Sequence, residues 1–105
     1  MANFLLAYHG GGGMAATPEA QAAAMAQWMK WFEGMGEAVV DGGNPVSKVR
    51  MVAGNGVTDG GGAAEISGYS VLKADSLEAA VTMAQGCPIL AEGGMVQVCE
   101  TFNVM

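Results

Sequence analysis

The chain has 105 residues, too few for a second hydrophobic core, so residues 1–105 are expected to form one domain. Only 13% of residues are charged, the net charge is −6, and the four cations (Lys30, Lys48, Arg50, Lys73) are scattered, which leaves no basic stripe for phosphates and argues against a nucleic-acid partner. The composition is 51% hydrophobic, yet no apolar run approaches the ~20 residues that cross a bilayer, so no membrane partner and a cytoplasmic address are the expectation.

The first element is a strand, Asn3 to His9. It is apolar on both faces: Phe4, Leu6 and Tyr8 alternate with Leu5, Ala7 and His9. A strand of that kind is covered on both sides. Gly10 to Gly13 follows as a loop that could offer backbone N–H groups to an anion or act as a lid, although it lacks the spacing of a phosphate-binding motif. A helix is then predicted over 17–35. Thr17 is its N-cap, Pro18 its first residue, and Glu19 lies near the positive end of its dipole. Alanine-rich in its first turns, it carries an apolar stripe of Met25, Trp28, Met29, Phe32 and Met35, widened by Trp31, and Gly34 and Gly36 end it.

A second strand is predicted over 37–42, closed by the turn formers Asp41 to Pro45. Lys48 to Ala53 and Val57-Thr58 flank Gly54-Asn55-Gly56 as a small hairpin. After a second glycine-rich loop, Asp59 to Ala64, comes a strand from Ile66 to Ala74. A helix over 75–85 has an Asp75–Glu78 capping box and a buried face of Leu77, Ala80, Val81 and Ala84. Gly86, Cys87-Pro88 and Gly93-Gly94 turn the chain into a last strand, Met95 to Glu100.

Two strand-helix-strand units predict an α+β fold: a four-stranded antiparallel sheet in ferredoxin-like βαββαβ order, with both helices on one face and a small extra hairpin. The last and third strands should flank the first. The other sheet face is then bare, and the two-sided apolarity of Asn3 to His9 predicts that it is sealed in a homodimer.

Cys87 and Cys99 do not make a disulfide framework and read as small buried hydrophobes. With one histidine and no C-x-x-C, no metal site is expected, and no cofactor either. His9, at the carboxy end of the first strand near Asp41 and Glu65, is the candidate proton carrier, with Asp41 or Asp59 to orient it; the blander reading, a hydrogen-bonded loop histidine with no chemical role, carries more weight. A direct His9–Asp41 dyad is hindered by the strand between them, which separates their backbones by roughly 9.5 Å. Asp59 also reads as a turn residue. The candidate pocket is walled by Tyr8, Trp28, Phe32, Glu65 and Tyr69, although aromatics at helical spacing such as Trp28 and Phe32 are more often core.

The residues resemble the YCII-related family, in particular its DGPF-type branch. Val57-Thr58-Asp59-Gly60 resembles the signature loop of that branch, and Gly42-Gly43-Asn44-Pro45 the turn after its second strand. Ser67 to Val71, Ala74 to Ala80, Gly86-Cys87-Pro88 and Gly93-Gly94 resemble its second half, so the likeness covers nearly the whole chain. It implies a dimeric α+β barrel, a scaffold shared with lactone isomerases, dehalogenating enzymes and small monooxygenases. Some family members carry a His–Asp pair between sheet and first helix. Here the loop reads Asp59-Gly60-Gly61-Gly62, without its Pro and Phe, and the first helix has no histidine, so that pair is not carried over.

Two readings result. In the first, a homodimer binds or transforms a small organic molecule by metal-free acid–base chemistry near His9. In the second, a degenerate family member senses a ligand or supports assembly without catalysis. A haem- or oxygen-using monooxygenase rests on the shared barrel alone.

Overall fold

The computed structural model describes residues 2–10, 17–60 and 65–104. Their elements are β1 (Ala2–His9), α1 (Pro18–Met35), β2 (Val39–Asp41), β3 (Arg50–Ala53), β4 (Gly56–Asp59), β5 (Gly68–Ala74), α2 (Leu77–Ala84) and β6 (Met95–Glu100). The fold is α+β: four strands form one antiparallel sheet in the order β2-β5-β1-β6, and β3 and β4 form a separate two-stranded sheet.

Local chemistry accounts for the helix ends. Thr17 is extended, and its Oγ1 accepts from the Ala20 N–H at 3.1 Å; at the other end the Gly36 N–H donates to the Phe32 carbonyl. The chain then makes a single 3-10 turn over Gly36–Ala38, which shortens the expected second strand to three residues. A bulge sits inside it, because Val39 and Asp41 oppose the adjacent residues Leu72 and Val71. In α2 the cap is Ser76 and not Asp75: Ser76 Oγ accepts from the Ala79 N–H at 3.1 Å. The reason lies in the sheet. Ala74 is still paired with Ala2, so Asp75 serves as the link to the helix.

Both helices cover the same sheet face. Phe4, Leu6 and Leu72 are fully buried there, and Tyr8, Ala74, Ala80, Ala84, Cys87 and Ile89 nearly so. Trp28, Trp31 and Met35 of α1 and Met83 of α2 pack against this layer. Trp31 also ties the helices together, its indole N–H donating to the Met83 carbonyl at 3.0 Å.

The helices sit differently from their expected stripes. In α1 none of the described residues is fully buried; Met25 and Met29 are 66% and 56% exposed, and the alanine-rich start is in solvent. In α2 the seat is Ala80, Met83 and Ala84, while Leu77 and Val81 are each 39% exposed. Alanine lets the helix backbone approach the strands, and the larger Leu77 and Val81 are turned away.

The second sheet face carries no element of the chain among the described residues. Across it, Leu5 lies between Val71 and Cys99, and Ala7 between Tyr69 and Gln97. The hairpin β3–β4 is exposed throughout.

Candidate functional site

A cleft of about 330 Å³ opens where β1 and β2 end and β5 begins. Alternation along β1 turns Tyr8 toward the helices, and alternation along β5 does the same for Gly68 and Ser70. These three form the floor. Met25, Trp28 and Phe32 of α1 form one wall at helical spacing, with Ile89 beside them. The loop from Gly42 to Pro45 forms the other.

That loop is held to β5 by the backbone. The Tyr69 N–H donates to the Asn44 carbonyl at 3.3 Å and the Val46 N–H to the Ser67 carbonyl at 2.9 Å, with Pro45 bridged to Gly68. Asp41 Oδ1 accepts from the Gly43 N–H at 2.8 Å and closes the turn. Two glycines make the close approach possible. Gly43 has φ 73°, and a Cβ on it would run into the Tyr69 carbonyl. A Cβ on Gly68 would stand 3.2 Å from the Asn44 oxygen and 3.4 Å from the Tyr8 ring.

The walls are aromatic and locked edge to face. Tyr8 meets Trp28 at 5.1 Å between ring centres and 81° between planes, and Trp28 meets Trp31 at 5.7 Å and 76°. Phe32 lies 6.1 Å from Trp28 and 5.1 Å from Trp31. The polar content of the floor is one chain of hydroxyls: Tyr8 Oη lies 2.7 Å from Ser70 Oγ, which donates to the Gly42 carbonyl, also at 2.7 Å. Burial pushes the Tyr8 phenol up to about 12 from its ordinary 10.0, an effect the Ser70 hydrogen bond only partly offsets. Tyr8 is therefore a neutral phenol at physiological pH.

Of the expected pocket residues, Tyr8, Trp28, Phe32 and Tyr69 meet around this cleft, and Glu65 is not among its lining residues. The three expected catalytic residues do not converge. His9 follows Tyr8 on β1 and so faces the opposite side of the sheet. Its Nδ1 is 3.2 Å from the Glu65 backbone carbonyl and its Nε2 3.1 Å from Gln97 Oε1. A carbonyl can only accept, so Nδ1 carries a proton, and Nε2 is engaged by the Gln97 amide. Asp41 is spent on the Gly43 turn. Asp59 lies on the exposed hairpin, 3.4 Å from Arg50. Of the Gly10 to Gly13 loop, only Gly10 belongs to the described residues.

Sequence reasoning passed over Ser70, the partner of Tyr8. The usable signal is a hydroxyl among the inward positions Gly68, Ser70, Leu72 and Ala74, because a buried hydroxyl must find a partner. No cluster of three or more metal-ligating side chains occurs among the described residues, and among them no helix is long and apolar enough to cross a membrane. No family model matches the chain, and no curated protein matches it.

Proposed function

We propose that this protein binds a small organic molecule in the cleft between α1 and the sheet, as a ferredoxin-like, homodimeric relative of the YCII-type proteins. The observation that carries the reading is the cleft itself. It is concave, walled by aromatics, and near the small end of the roughly 300–1,000 Å³ range of ligand sites. The strand order β2-β5-β1-β6 supports the ferredoxin-like assignment, since each strand-helix-strand unit places a strand of the other between its own two. The apolar row Val71–Leu5–Cys99 on the uncovered sheet face supports the homodimer.

Binding without catalysis is the favoured form of the reading. His9 is across the sheet from the cleft, both its ring nitrogens are engaged, and Tyr8 holds its proton too tightly to act as a base near neutral pH. The rival, acid–base chemistry at His9, would act on the uncovered face, where a second copy would enclose it.

A melting-temperature screen of small aromatic and alicyclic compounds, paired with NMR of the Trp28 indole, tests the binding reading. Ligands that raise the midpoint and shift Trp28 are the expected result. A screen in which neither quantity moves removes it. Turnover of any hit that vanishes in His9→Ala would replace it with the rival.

A further inference from the structure

Resting on the ligand-binding reading, we infer that the cleft selects an uncharged aromatic molecule that carries a hydrogen-bond donor, which Tyr8 Oη accepts. The far end of the hydroxyl chain fixes its direction. The Gly42 carbonyl has no proton to give, so Ser70 Oγ must donate to it. Ser70 has then spent its only proton and can only accept from Tyr8. Tyr8 in turn has spent its own. The direction Tyr8 to Ser70 to Gly42 is thus set by chemistry, and Tyr8 Oη retains lone pairs alone.

All three residues of this chain line the cleft, together with Asn44 and Ser67, so Tyr8 Oη is the acceptor assigned to the ligand in a site that is otherwise mostly apolar. Three features complete the selectivity. Trp28 and Phe32 line the cleft with their rings 6.1 Å apart and tilted by 35°, an aromatic wall that suits a flat molecule. No charged side chain is among the described residues that line the cleft, so a carboxylate would lose its water without a counter-charge. Gly43 and Gly68 hold the loop against β5, which keeps Gly42 in place as the terminal acceptor.

The test compares three ligands of one shape by calorimetry: p-cresol, which donates; 4-methylanisole, which cannot; and 4-methylbenzoate, which is charged. p-Cresol should bind saturably and roughly three- to tenfold more tightly than 4-methylanisole, the worth of one hydrogen bond, with 4-methylbenzoate weakest. In Tyr8→Phe the two neutral ligands should bind equally, while both still raise the melting temperature. Equal affinity of p-cresol and 4-methylanisole for the native protein, or a preference for 4-methylbenzoate, overturns the donor rule and leaves the cleft a binding site. Absence of binding by all three, with the Trp28 signal unmoved, overturns this inference. The broader screen described above then decides separately whether the cleft binds other chemistry.

Discussion

Leu6 and Leu5 are neighbours on β1, and the sheet separates their surroundings. Leu6 is fully buried against a cluster that includes Leu72, Cys87 and Ile89, whereas Leu5 is 37% exposed between Val71 and Cys99. Both faces of the strand are apolar, but among the described residues only one is covered by helices. The covered face is interdigitated with Met83, Trp28 and Trp31 and holds the hydroxyl chain and the cleft. The other has an apolar middle bordered by Lys73, Gln97 and His9. The difference separates the two faces: the helix side builds the core and the cleft proposed to bind a ligand, and the open side is the one proposed to pair with a second copy.

The largest expected effect lies on the covered face. Phe4→Ala removes a fully buried ring and should cost about 3–5 kcal/mol in urea unfolding, a large share of a small domain's stability. Little change would mean that this face is far looser than its packing indicates.

Alkaline titration is next. Burial raises the Cys87 thiol from 9.0 to about 11 and the Tyr8 phenol from 10.0 to about 12. Both groups are neutral when protonated, so the folded state holds these protons more tightly than the unfolded chain. Their stabilisation is complete below pH 9, and it is lost as pH rises through 11 for Cys87 and through 12 for Tyr8. Each contributes on the order of 2 kcal/mol. Cys87→Ala should flatten the earlier part of the decline and Tyr8→Phe the later part; a flat profile to pH 12 in the native protein contradicts the burial of both.

On the open face, Leu5→Asp should leave the folded monomer nearly as stable, within about 1 kcal/mol. Light scattering should show the mass falling from twice 10.6 kDa to 10.6 kDa. A native mass of 10.6 kDa at micromolar concentration would instead leave this face without a partner. The smallest effect belongs to the hairpin. Arg50 and Asp59 have side chains 74% and 91% exposed, so Asp59→Asn should change stability by less than about 0.5 kcal/mol.

Much of this architecture is legible in the chain because it rests on short-range chemistry. Thr17-Pro18 starts α1, the alternation of β1 marks a strand with two apolar sides, and the turn residues separate the units. What was misjudged depends on distant partners. Asp75 has the chemistry of a cap, but pairing of Ala74 with Ala2 moves that role to Ser76. Leu77 and Val81 have the hydropathy of a buried face, but close approach to the sheet favours Ala80 and Ala84. The aromatic wall could be foreseen from the spacing of Trp28 and Phe32. The hydroxyl chain could not, because its members are 28 and 62 residues apart along the sequence.

By itself the sequence determined where most strands and helices lie, and that the first strand is apolar on both sides, since periodicity and capping act over a few residues. Only the tertiary structure decided that Tyr8 and His9 stand on opposite sides of one sheet with different partners. Strand order and register bring Ser70 to the first, and Gln97 and the Glu65 carbonyl to the second.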